Sequence, residues 1–191
     1  MLMRRICLMA LLAASITLQA QEKSKEKIFQ WGVEAGLDIA RMRAPEGFLS
    51  DNNRCGWFVG AKLKAGIPLP KLGVDVALLY NHNELLYDSN RQRQLHMFCV
   101  PLNLRYNHKI LPRVVWYMAS GPQWNWYVGN SSLPDGELRH SYFDWNAGSG
   151  FDLFGHLQVG FNYNVALGRM GRVQGTDLQS NSWNIRLAYY L

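Results

Sequence analysis

The chain has no long apolar run. Its one candidate, Ile6 to Leu18, is shorter than the roughly 20 residues a helix needs to cross a bilayer. It follows Arg4 and Arg5 and precedes Gln19, Ala20 and Gln21, which is the charged, apolar and small-residue order of a secretory signal. Residues 1–20 are therefore expected to be removed, and a helical membrane protein is excluded. Cysteine is scarce too. Cys7 leaves with the signal, and Cys55 and Cys99 fall two strands apart, so two free thiols are expected rather than a disulfide scaffold. With no cysteine at the cleavage point, a lipid anchor by that route is excluded as well. Charge of one sign is also in short supply: removing Arg4 and Arg5 leaves 18 basic against 14 acidic residues, a net +4. That balance is too mild to point to nucleic acid. There is no P-loop, nucleophile elbow, HExxH or paired CxxC, so neither an enzyme nor a cofactor is expected.

What the chain does have is alternation. After a charged tether (residues 21–29), eight segments cover approximately 30–42, 56–67, 72–84, 94–106, 114–128, 142–154, 156–168 and 182–191. Each is long enough to cross a membrane as a tilted strand, which takes about 9 to 11 residues. Successive strand side chains point to opposite faces. Trp31, Trp57, Trp116, Trp124, Trp126, Trp145 and Trp183, all seven tryptophans of the chain, fall mostly near segment ends on a face that carries no formal charge short of Arg41 and Glu84 at the ends of their segments. Tryptophan in that position suggests an interfacial girdle. A secreted lipocalin-type barrel would show the same parity with the apolar face turned inward. The polar face decides between them, because it carries ten glycines (32, 36, 60, 66, 73, 121, 148, 150, 160 and 168). Glycine suits a crowded lumen better than a solvated exterior. The expected fold is all-β, an eight-stranded antiparallel up-and-down transmembrane barrel over residues 30–191, monomeric and embedded in lipid.

Connections alternate as well. They are long at 43–55, 85–93, 129–141 and 169–181, and short near 68–71, 107–113 and 154–156, the pattern of outer-membrane barrels with periplasmic turns and extracellular loops. Pairing 72–84 with 94–106 sets Leu72 against Tyr106, Val74 against Leu104, Val76 against Leu102, Leu78 against Val100 and Tyr80 against Phe98. A slip of one residue would turn all of them inward.

Three groups of residues are candidates for chemistry. On the inward face, Glu34, Asp38, Asp75, Asp144 and Asp152 nearly balance Lys62, Lys64, Arg105 and Arg186. An eight-stranded lumen is just wide enough for side chains to fill it, so a solid polar core is expected, with a narrow ion path as the alternative. In the first hairpin Glu34 is expected to face Lys64, or Lys62 after a two-residue shift. On the outward face His82 and His96 stand opposite each other, with Glu84 one step further. That is a weak metal-site candidate, and its histidines are the best candidates for a lipid-modifying enzyme, although the nearest serine, Ser89, lies at the loop tip. In the long loops the cations are arginines, among them Arg43, Arg54, Arg91, Arg93, Arg139 and Arg172, with no lysine. Arginine's planar fork suits phosphate, which makes lipopolysaccharide an expected partner.

The tract Val100-Pro-Leu-Asn-Leu-Arg-Tyr106, Ala119 to Pro122, Asp144 to Asp152 and the terminal Arg186 to Leu191 resemble the outer membrane beta-barrel family common in Bacteroidetes, which includes PorT-like proteins. The resemblance implies an eight-stranded barrel in a Gram-negative outer membrane and, for PorT-like members, a role in a protein secretion system. The function expected is non-enzymatic, as a structural or accessory envelope component in contact with an envelope or secretion complex. The alternatives are surface recognition through loop residues such as Phe48, Tyr87 and Tyr142, and lipid modification.

Overall fold

A computed structural model describes residues 29–43, 54–87, 91–128, 132–133, 136–169, 171–173 and 176–191. The expected signal peptide and the tether up to residue 28 lie outside the described residues, as do Phe48 and Ser89. Eleven strands follow in chain order: β1 (Phe29–Arg43), β2 (Arg54–Gly66), β3 (Leu72–Tyr87), β4 (Arg91–Leu111), β5 (Val114–Val128), β6 (Ser132–Leu133), β7 (Gly136–Leu138), β8 (Ser141–Leu153), β9 (Leu157–Ala166), β10 (Gly171–Val173) and β11 (Thr176–Tyr190). Eight of them, β1 to β5 with β8, β9 and β11, pair antiparallel in sequence order. The ring closes where β1 pairs with β11, from Gly32↔Tyr190 to Arg43↔Gln179. Closure leaves no free sheet edge, which is what lets strands cross hydrocarbon.

Burial follows the parity of the sequence. Along β5 inward residues from Tyr117 to Tyr127 are buried, while Met118, Trp124 and Trp126 are exposed. The exposed large side chains of the wall are apolar, among them Val33, Leu37, Leu104, Phe143, Phe161, Ile185 and Leu187. The buried set is polar, including Glu34, Asp75, Asn103, Arg105, Asn146, Gln158 and Asn184. This inside-out arrangement is that of a barrel whose solvent is lipid.

The β3–β4 register is as expected at Leu72↔Tyr106, Val74↔Leu104, Val76↔Leu102 and Tyr80↔Phe98. The ladder skips Leu78 opposite Val100, beside Pro101, which has no N–H to give, and resumes in the same register at Leu79↔Cys99. Two expectations about length are corrected. The connection at 107–113 shrinks to residues 112–113, because β4 continues to Leu111. On the opposite rim β3 and β4 pair as far as Tyr87↔Arg91, so only residues 88–90 separate them. Strands that leave the membrane no longer need one apolar face, so their ladder outlasts the alternation that revealed them. The turn at 154–156 is as short as expected: Phe154 (φ 56°) and Gly155 (φ 78°) are both left-handed, and His156 N donates to Leu153 O at 3.2 Å, a type I′ hairpin turn.

Candidate functional site: a two-layered lumen

All nine candidate charges project into the lumen, and the strands sort them into two layers. The layer toward the turn rim is a continuous ion-pair network. Lys62 Nζ lies 3.0 Å from Glu34 Oε2 and 4.0 Å from Asp75 Oδ2. Arg186 Nη1 donates to Glu34 Oε1 at 3.0 Å. Arg105 Nη2 reaches Asp152 Oδ2 at 2.5 Å, and its Nη1 stands 3.7 Å from Asp75. Lys64 Nζ joins Asp152 at 3.0 Å. Three carboxylates thus meet four cations, and aromatic faces hold the remaining sides: Arg105 Cζ lies 3.8 Å from the Tyr117 ring centroid, and Lys64 Nζ 4.3 Å from that of Tyr190. Asn103 Nδ2 donates to Asp75 at 2.9 Å, and Tyr190 Oη donates to Gln158 Oε1. Arg105 is fully buried at 0 % exposure. Buried charges persist when they are paired and hydrogen-bonded in this way.

The expected partner of Glu34 needs correction. Gly60, not Lys64 or Lys62, stands opposite it; Lys62 faces Gly32, and Lys64 faces Gln30. Lys62 reaches Glu34 diagonally from the next inward position. Steric fit favours this register: four successive inward pairs, Gly32↔Lys62, Glu34↔Gly60, Gly36↔Phe58 and Asp38↔Gly56, each set a large side chain against a glycine, and Gln30↔Lys64 at the turn rim is the exception. A Cβ on Gly36 would overlap the Phe58 ring, and one on Gly160 would overlap Tyr117 Oη. The same large-on-small rule places Tyr117 opposite Gly150 and Arg186 opposite Gly36.

The layer toward the loop rim is built differently. Asp38 accepts from Asn184 Nδ2 at 2.8 Å on one oxygen and from Asn81 and Asn83, each at 3.2 Å, on the other. Asp144 accepts from Asn125 Nδ2 at 2.6 Å. A chain of amides continues the wall, with Gln123 donating to Asn125 at 2.8 Å and Asn164 to Asn184 at 2.8 Å. None of the ion pairs among the described residues includes either carboxylate. Between them lies a cavity of about 30 Å³. In the sequence the amides carry no charge to mark them as a group, although their inward parity is readable.

On the outer surface all seven tryptophans face outward, but they do not form two even belts. Trp31 and Trp116 lie near the turn rim and Trp57, Trp124, Trp126, Trp145 and Trp183 toward the loop rim; Trp183 stands opposite Ile39, and it falls at the middle of β11 because that strand begins at Thr176 rather than near residue 182. Two outward serines serve indole N–H groups: Trp116 Nε1 donates to Ser149 Oγ at 2.8 Å and Trp145 Nε1 to Ser120 Oγ at 2.9 Å. A buried or lipid-facing indole N–H needs such a partner. His82 and His96 pair as expected, with Nδ1 atoms 3.3 Å apart and Tyr80 Oη 2.6 Å from His96 Nδ1. Glu84's side chain lies outside the described residues. Among the described residues no group of three or more His, Cys, Asp or Glu side chains could hold a metal ion.

Arg43, Arg54, Arg91, Arg93 and Arg172 belong to strands β1, β2, β4 and β10 rather than to loops, because the hairpins outlast the membrane. Their side chains, with that of Tyr87, lie outside the described residues. Arg139 is exposed between β7 and β8. Tyr142 is not a loop residue: it is buried in the lumen and donates to Met97 Sδ at 3.5 Å, because β8 starts at Ser141. Cys55 is exposed, Cys99 is buried, and both are free.

A closed eight-stranded wall with an apolar exterior and a polar, charge-paired interior defines a small outer-membrane barrel. The chain belongs to the family described as the outer membrane protein beta-barrel domain, whose model matches residues 8–190. No curated protein matches the sequence. Among solved structures it is similar in fold to the attachment invasion locus protein Ail of Yersinia pestis, at 13% identity and a TM-score of 0.51, covering 85% of this chain and 98% of Ail. It is also similar to OprG of Pseudomonas aeruginosa, at 10% identity, TM-score 0.50 and coverage of 85% and 94%. The outer membrane protein AlkL is a third, at 10% identity, TM-score 0.54 and coverage of 89% and 93%.

Proposed function

We propose that this chain is a non-enzymatic, non-conducting scaffold of the outer membrane, an accessory component of the envelope that meets its partners at the loop rim. The observation that carries this reading is the paired layer of the lumen. Glu34, Asp75 and Asp152 with Lys62, Lys64, Arg105 and Arg186 tie β1, β2, β3, β4, β8 and β11 together across the interior. An open selective pore would leave one sign in excess along its whole path, whereas across this layer both signs are consumed in pairs. With the interior occupied, the rims remain for function. The PorT-like sequence resemblance makes a secretion complex the first partner to test.

A second reading, recognition of an external ligand, is favoured by the ordered rim itself. β10 pairs with both β11 and β7, and β7 with β6, so part of the loop side is hydrogen-bonded sheet. Three measurements separate these readings from a channel and from each other. Purified protein in planar bilayers is expected to give no porin-like conductance; steady, large, ion-selective openings would overturn the scaffold reading. Loss of secretion on gene deletion supports the accessory role, while ligand binding by intact cells without a secretion defect supports recognition.

A further inference from the structure

The upper layer of the lumen brings in two negative charges, and no described cation pairs with either. The carboxylate of Asp38 is solvated by three amide N–H donors, but Asp144 has one, and its Oδ1 is buried without a partner. Oδ1 of Asn81, Asn83 and Asn164 is likewise buried and unpartnered. These four residues are all more than nine-tenths buried and line the same cavity of about 30 Å³. The orientation of Asn81 and Asn83 is fixed by their acceptor: an ionised carboxylate only accepts, so each NH₂ must face Asp38 and each oxygen is left over. Every unpartnered buried side-chain atom of the cavity wall is therefore an oxygen acceptor.

We propose that this chamber binds a hard divalent cation of the calcium class through carboxylate and amide oxygens. A cavity of this size exceeds the roughly 10–15 Å³ that one water requires, so an ion with a water fits. Water alone supplies hydrogens to the orphaned oxygens but leaves two buried carboxylates that no described cation balances, the costly situation for ions. A divalent cation answers both needs at once. Calcium accepts irregular sets of carboxylate, amide and water oxygens, whereas magnesium demands near-octahedral geometry and sheds water reluctantly. Asp38 on β1 and Asp144 on β8 are separated by β9 and β11 round the wall. An ion held between them braces the barrel across its lumen, so binding should be visible as stability.

The test uses full-length mature protein refolded in zwitterionic detergent, free of lipopolysaccharide and stripped with chelator. Calcium chloride is expected to raise the midpoint of heat unfolding saturably, with half-saturation at about 0.1–1 mM, the range of extracellular calcium modules. The rise should vanish in Asp38→Asn/Asp144→Asn and persist in Arg139→Gln. No rise in the wild type, or an equal rise in the double variant, overturns the proposal. Should the double variant fail to refold, terbium replaces it as the probe. Wild-type protein should sensitise terbium emission through Tyr142, displaceable by calcium and lost in Tyr142→Phe, and absence of calcium-displaceable emission overturns the site. A rise given by zinc instead of calcium, and lost in Cys99→Ser, also overturns the hard-cation assignment.

Discussion

The two layers of the lumen face the same problem, charge buried inside a narrow barrel, and solve it in opposite ways. Toward the turn rim, acids and bases are brought to within 2.5–4.0 Å of one another and sealed by tyrosine rings. Toward the loop rim, Asp38 and Asp144 are set among amides around a cavity, with no described cation against either. The first arrangement balances its charges within itself, although it too leaves buried atoms such as Arg105 Nη1 and Arg186 Nε without a hydrogen-bond partner; the second holds acids that no described cation balances. The lesson is that a count of inward charges over the whole barrel, five acids against four bases, hides the physics. What matters is which charges share a height in the wall.

The largest expected effect comes from breaking the paired layer. Glu34→Ala strands Lys62 and Arg186 in a space where Lys62 is 4 % exposed, and unfolding in urea and detergent should show a loss of about 3–5 kcal/mol. The double variant with Lys62→Ala should lose much less than the sum of the two single changes, because Lys62 is in contact with Glu34. A cycle with Lys64→Ala should be closer to additive, since Lys64 answers to Asp152. Additive losses with Lys62 would show that the diagonal pairing is wrong.

Next in size is overpacking. Gly160→Val drives a side chain into Tyr117, which also supports Arg105, and should cost about 1–3 kcal/mol. Pairing it with Tyr117→Ala should recover part of the loss if the clash is the cause. The smallest effect lies outside both layers. Phe154 is 64 % exposed and left-handed, a conformation that costs a bulky residue about 1–2 kcal/mol. Phe154→Asn, the residue such turns prefer, should gain up to about 1 kcal/mol, leaving the contrast between layers untouched; a measured loss would mean that Phe154 anchors the turn in the membrane.

How much of this was legible depended on whether a strong periodic force acted. Lipid outside and a crowded lumen inside impose strict parity, so strand number, order, the β3–β4 register and the outward face of every tryptophan could be read directly. Where strands leave the membrane that force disappears, and Asn107 to Leu111, the strand-borne arginines and buried Tyr142 were misplaced. The β1–β2 register failed for another reason. Charge attraction favours setting Glu34 against a lysine, but long side chains reach diagonally, whereas volume cannot be borrowed from a neighbour. Matching the inward glycines of β1 and β2 to large residues opposite favours Glu34↔Gly60, with Gln30↔Lys64 as the one exception toward the turn rim. The split of the charges into two layers needed the registers of all eight strands at once.

The most direct test of the two-layer account uses one strand and one substitution. Asp152 and Asp144 both lie inward on β8, one in each layer, and replacing aspartate with asparagine keeps the shape and removes the charge. In chelator, with unfolding followed in urea and detergent, Asp152→Asn should lose several kcal/mol, on the order of 3, by stranding Arg105 and Lys64. Asp144→Asn should be neutral or gain about 1 kcal/mol, having removed a buried charge that no described cation balances. Equal losses at the two positions, or a larger loss at Asp144, would contradict the account.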